Sequence, residues 1–192
     1  NLSLSFASGA TEAEENALDL TLNEVGEYDD SEAAEHTALG LDLTDAQGSD
    51  DNGITDLGVS AEGGWNVFNA SGAGNAETLT VNGDGSLRLE GVAASTSSLD
   101  ASELGGELEA DLTGADEVTE LRGSQGDSEV DVTGSGITAE RGSVIDGGGG
   151  ENRLVIEDAN GSLRPEMTGF QTVELDTVTS SYRRFYWSEV GD

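Results

Sequence analysis

The stretch "LTGADEVTELRGSQGDSEVDVTG", residues 112 to 134, carries the spacing on which the fold turns. Leu112, Leu121 and Val130 stand nine residues apart, and "LTG" (112–114), "LRG" (121–123) and "VTG" (132–134) share an apolar, polar, glycine ending. A fixed step suits stacked coils better than two facing sheets. The spacing therefore predicts a parallel β-solenoid in which a strand and turn of about nine residues make half a coil. The step drifts on both sides of this stretch, and an antiparallel β-sandwich is the alternative.

Outward from this stretch, short apolar alternations recur: "LSLSF" (2–6), "LDLTL" (18–22), "LGLDL" (39–43), "LTV" (79–81), "LRL" (87–89), "VDV" (130–132), "LVI" (154–156) and "VEL" (173–175). Side chains two apart on a strand share a face, so each phrase gives a strand with one apolar and one wet side. Gly, Asn, Asp and Ser separate them, as in "NGDG" (82–85), "GSQG" (123–126) and "NG" (160–161), residues that accept the positive φ of tight turns. An all-β chain follows. The first 70 residues read as a less regular β-rich segment, where "TEAEEN" (11–16) has the spacing of a capping box and "SEAAEHTA" (31–38) tolerates a helix. Residues 71–180 read as the solenoid and 181–192 as an aromatic cap or contact segment, with "EGGWN" and "ASGAGNAE" marking the first boundary.

Charge narrows the partners. Forty acidic residues face seven arginines and no lysine, a formal net charge of -33 over 192 residues. Such a surface repels nucleic acid and anionic membranes, and the compact state repels itself, so cations should stabilise it as a diffuse atmosphere or as bound divalent ions. The same bias is the surface expected of a protein from a salty habitat. Without cysteine there are no disulfides, thiolate nucleophiles or cysteine-ligated zinc. No run approaches the ~18–20 apolar residues of a membrane-spanning helix, so no membrane insertion is expected. A start at Asn1 suggests a piece of a secreted precursor.

The sharpest candidate site is "IDGGGGENRLVI" (145–156). In a glycine nonapeptide of the form G-G-x-G-x-D-x-U, glycines turn the backbone so that carbonyls face a cation, and a carboxylate from a neighbouring turn completes the shell. Residues 147–154 fit that form with Asn152 in the aspartate position and Asp146 just ahead. In "RGSQGDSEV" (122–130) the matching position holds Ser128, with Asp127 one place early. The candidate calcium ligands are Asp146, Gly148, Gly150, Asn152 and Asp127, with Asp84 of "NGDG" a turn residue first and a ligand second. A flexible surface turn is the competing reading of the same glycines.

"IDGGGGENRLVI", followed by "MTGFQTVEL" (167–175) and preceded by "SLDAS" and "GGELE", resembles the repeat-in-toxin type surface-layer proteins of Gram-negative bacteria over about residues 78–178. That resemblance implies a calcium-dependent, right-handed β-solenoid, exported and assembled into a two-dimensional array or fibre. Tandem glycine nonapeptides are missing here, which implies that ion sites are lost or rearranged.

Other motifs read more plainly. "DDNGITD" (50–56) fails the EF-hand register and is a turn, and His36, the single histidine, is an exposed residue with no catalytic partner in view. Carboxylate pairs are uninformative among forty acids, and no catalytic residue is nominated. "YRRFYW", Tyr182, Arg183, Arg184, Phe185, Tyr186 and Trp187, holds four of the nine aromatics beside the only adjacent arginines. It reads as a strand capping the open end of the solenoid, or as an assembly contact in which the arginines dock on the acidic body of another copy. Together these readings predict a non-enzymatic, secreted or cell-surface structural protein, a self-assembling unit of a surface layer or fibre stabilised by calcium or other cations. A calcium-dependent adhesin or binding module is the alternative.

Overall fold

The structure, a computed structural model, describes residues 2–5, 16–28, 37–44, 53–133, 143–157, 162–163, 166–176 and 184–185. In chain order the strands are β1 (Leu2–Ser5), β2 (Ala17–Asn23), β3 (Leu39–Thr44), β4 (Asp56–Glu62), β5 (Trp65–Gly72), β6 (Thr78–Gly83), β7 (Ser86–Leu89), β8 (Ser98–Leu104) and β9 (Leu108–Asp111). They continue as β10 (Glu120–Arg122), β11 (Ser128–Thr133), β12 (Val144–Asp146), β13 (Asn152–Glu157), β14 (Ser162–Leu163), β15 (Glu166–Thr168), β16 (Thr172–Leu175) and β17 (Arg184–Phe185). Apart from β14 and β17, which pair with each other, successive strands alternate between two sheets. Sheet I has the order β1-β3-β5-β7-β9-β11-β13-β16 and sheet II the order β15-β12-β10-β8-β6-β4-β2. Every strand pairing is parallel, so the chain winds as a β-solenoid of about five turns and not as an antiparallel sandwich.

Apolar side chains at alternate strand positions stack into columns inside the coil. One runs through sheet II from Leu57 to Leu79, Leu99, Leu121, Ile145 and Met167, in steps of 22, 20, 22, 24 and 22 residues. Another runs through sheet I from Phe68 to Leu89, Ala110, Val130, Leu154 and Val173. All but Val173 are buried, so the coil interior is a dry aliphatic rod. Burying each leucine there stabilises the fold by roughly 1.5–3 kcal/mol.

From β4 onward the period is thus 19–24 residues, and the nine-residue beat has another origin. Leu121 lies on β10 in sheet II and Val130 on β11 in sheet I, successive sides of one coil as expected. Leu112 sits in neither strand. It is buried in the loop that leads from sheet I back to sheet II, where its N–H donates to the Asp131 carbonyl (2.8 Å).

The two edges of the coil differ. From β4 onward, passages from sheet II to sheet I are short and glycine-bearing: residues 63–64, 84–85, 105–107, 123–127, 147–151 and 169–171. "EGGWN", expected to mark a domain boundary, is one of these passages, and β1 to β4 belong to the same two sheets as the rest. Return passages are longer and carry small buried side chains, among them Ala73, Ala76, Val92, Ala93, Ala115 and Val118. The helix-tolerant stretches at 11–15 and 31–36, with His36, lie outside the described residues, as do Asp50, Asp51 and Asn52.

Candidate functional site: the glycine edge and the carboxylate face

The glycine edge is a stack of backbone. A Cβ on Gly85 would come within 2.9 Å of the Gly64 carbonyl oxygen, one on Gly126 within 2.7 Å of Gly106 O, and one on Gly150 within 2.7 Å of Gly126 O; one on Gly106 would meet Gly85 O. Gly64, Gly85, Gly106, Gly126 and Gly150 form a column whose last four members have no room for a Cβ. Their amides and carbonyls bond between coils, as in Ser86 N to Gly64 O (3.0 Å) and Gly105 N to Gly83 O (2.8 Å). Gly148, at φ 83°, adds a second reason for glycine, since a side chain is strained in that region.

Buried polar side chains seal this edge from inside. Asn152 is 2% exposed; its Oδ1 accepts from Ser128 N (2.9 Å), while Nδ2 donates to Gly169 O (2.8 Å) and Gly148 O (3.5 Å). One asparagine thus ties three successive coils. Asn66 does the same near the other end: its Oδ1 accepts from Val25 N (3.0 Å) and its Nδ2 reaches the carbonyls of Glu62, Gly64 and Ser86. Between them in the same register, Ser128 Oγ accepts from Ser124 N (3.0 Å).

At residues 146–152 the candidate calcium ligands take part in the hydrogen bonds of the corner. The Asn152 oxygen that would ligate an ion is buried and already held by an amide. Asp127 Oδ1 accepts from Glu151 N (2.8 Å) in the next coil, Asp146 Oδ1 from Gly148 N (3.2 Å), and Asp84 Oδ1 from Gly63 N (3.3 Å) in the coil before. Each of these three carboxylates thus accepts a turn amide. Of the predicted ligands, the fold brings Asp127, Asp146, Gly148, Gly150 and Asn152 together in a hydrogen-bonded corner and leaves Asp84 coils away. Among the described residues no group of three or more His, Cys, Asp or Glu side chains is arranged to hold a metal ion.

The outer face of sheet I carries the larger accumulation of charge, and its organisation was hidden until the period was known. Outward positions repeat in register: Arg88, Glu109, Glu129 and Arg153 form one column, and Asp111, Asp131 and Val155 the next. Neighbouring parallel strands lie ~4.8 Å apart, so like charges in register repel by roughly 1 kcal/mol even at the dielectric of water. The two arginines are spent on glutamates. Arg88 pairs with Glu109 and, through Nε at 3.5 Å, with Glu90; Arg153 pairs with Glu129 (2.8 Å) and Glu174 (2.5 Å). These hydrogen bonds to Glu174 and Glu129 push the Arg153 guanidinium further above its ordinary range. A cleft of about 350 Å³ lies along this face, lined by Arg88, Glu90, Glu109, Asp111, Glu129 and Asp131.

Where an arm covers this outer face, apolar and aromatic residues lie beneath it. The passage from β2 to β3 contains a bridge between Glu27 and Thr37, and Val67 N donates to Val25 O (2.7 Å). Val67, outward on β5, is fully buried. Tyr28 stacks on Trp65, with ring centroids 3.8 Å apart and planes 5° from parallel, and donates its hydroxyl to Glu109 (2.6 Å). Burial, then the bond to Glu109, pushes the Tyr28 hydroxyl pKa upward. "YRRFYW" contributes backbone at Arg184–Phe185, where β17 pairs in parallel with β14, one coil on from Ser162–Leu163. Tyr182, Arg183, Tyr186 and Trp187 lie outside the described residues.

The fold and its edges define the chain as a parallel β-solenoid. Comparison with protein-family models, curated proteins and solved structures finds no match to it.

Proposed function

We propose that this chain is a non-enzymatic structural module, a β-solenoid segment of an extracellular surface layer or fibre whose carboxylate-covered exterior is quieted by cations. The observation that carries this reading is the outer face of sheet I, where Glu109 stacks on Glu129 and Asp111 on Asp131 in register, with both nearby arginines already paired to glutamates. A rod built this way is stiff, wet outside and self-repelling, and ions that bind it only when folded or assembled stabilise it by mass action. The likeness of residues 78–178 to exported surface-layer proteins agrees with this role. Calcium enters as a counterion of the carboxylate face, and copies of the same chain are the partners.

The test is thermal melting and electron microscopy in divalent ions against monovalent salt of equal ionic strength. The reading expects a higher melting temperature in calcium or magnesium and polymers or sheets on the grid. Full rescue by sodium chloride would reduce the cation role to screening. Single particles that stay monomeric in calcium would favour an adhesin or binding module instead.

A further inference from the structure

Among the described residues, the cleft on sheet I holds a carboxylate, Asp131, without an ion-pair partner. Asp131 lies half-buried on β11 with Asp111 directly opposite on β9 and Val155 opposite on β13. Glu129 and Thr133 flank it on its own strand, Glu109 comes from β9, and Arg153 and Glu157 come from β13. Arg88 and Glu90, from β7 and the turn after it, line the same cleft. The neighbouring acids have other supports: Glu109 is held by Tyr28 and Arg88, Glu129 by Arg153, and Asp111 by Thr113, whose N–H (2.9 Å) and hydroxyl (2.6 Å) both donate to it. Arg153 reaches toward the cleft, but its terminal nitrogens are committed to Glu129 and Glu174.

We infer that Asp131 is a proton-operated element of the solenoid: it takes up a proton in mildly acidic solution, relieves the carboxylate ladder across β9, β11 and β13, and tightens the stack. The inference does not depend on the assembly role proposed above. Burial first, then the charges of Glu129, Asp111 and Glu157, raise its pKa from 3.8 to about 6, with Arg153 opposing. The sign follows from linkage. A carboxyl whose folded pKa lies above its unfolded one binds its proton more tightly in the folded state. Stability is therefore gained as pH falls through about 6 toward 3.8, and is lost as pH rises through the same window.

The experiment is a carboxyl ¹³C NMR titration of the protein, with Asp131 assigned by loss of its signal in D131N, alongside melting temperatures from pH 7.5 to 5. Asp131 is expected to titrate near 6, apart from the bulk of the carboxylates. General acidification reduces net charge and raises melting temperature in every variant, so the readout is the difference between variants. D131N should melt above the wild type at pH 7.5 and gain less on acidification, whereas E117Q, at an exposed loop position, should gain as much as the wild type. D111N, which removes the opposing charge, should lower the Asp131 midpoint, and it serves as the test if D131N fails to fold. An Asp131 midpoint among the ordinary carboxylates, or a D131N gain equal to that of the wild type, overturns the inference.

Discussion

The two edges of the coil solve the same problem with opposite chemistry. On the edge that leads from sheet II to sheet I, backbone stacks on backbone: Gly64, Gly85, Gly106, Gly126 and Gly150 lie one above another, and Asn66 and Asn152 close the polar groups from within. On the opposite edge, side chains do the stacking, through Ala76, Val92, Leu112 and Val118, with Thr96 Oγ1 donating to Ala76 O (3.0 Å). A backbone stack tolerates no added atom. Both edges keep register over passages of different length, from residues 73–77 to 112–119 here and from 63–64 to 147–151 on the glycine edge. The difference teaches that glycine in this chain marks close packing between coils and is no sign by itself of an ion.

Several substitutions would sharpen or break this contrast, each read by thermal or denaturant unfolding. The largest expected effect short of the aspartate test below is Asn66→Ala, which leaves Val25 N and three carbonyls without their side-chain partner in a fully buried position and should cost roughly 3 kcal/mol. Gly126→Ala comes next, at roughly 1–3 kcal/mol, because the new methyl group presses on the Gly106 carbonyl. Tyr28→Phe keeps the ring stack on Trp65 but removes the bond to Glu109, for about 1 kcal/mol. Smallest is a two-residue insertion after the exposed Glu117 on the opposite edge, expected to cost under about 1 kcal/mol. If the insertion proved as damaging as Gly126→Ala, the two edges would not differ as described.

Much of the fold was legible because strand alternation is a local property. Residues such as Leu87 and Leu89, or Leu154 and Ile156, announce an inward face whatever they pair with, and "parallel solenoid" followed from adding a periodic step. The step itself misled in detail, since Leu112, Leu121 and Val130 sit on three different sides of a coil and mimic a period of nine. Differing loop lengths blur the period of 19–24 residues, so the shared identity of "EGGWN", "NGDG", "GGELE", "GSQG" and "GGGG" as one corner repeated along the rod could not be read without the register. For the same reason the columns of Arg88, Glu109, Glu129 and Arg153, and of Asp111 and Asp131, were invisible as neighbours. The glycine motif identified a special place but not its burial: sequence marks Asn152 as a polar residue after glycines, but not that it points inward.

Asn152→Asp tests the central claim most directly, because the two accounts of the glycine edge disagree on its sign. In a backbone stack, the aspartate loses the Nδ2 bond to Gly169 O and places a charge at a 2% exposed position, at a cost of roughly 3–5 kcal/mol. The variant should then melt well below the wild type, with the same deficit whether or not calcium is present. A deficit that calcium closes or reverses would mean that the corner is an ion loop after all.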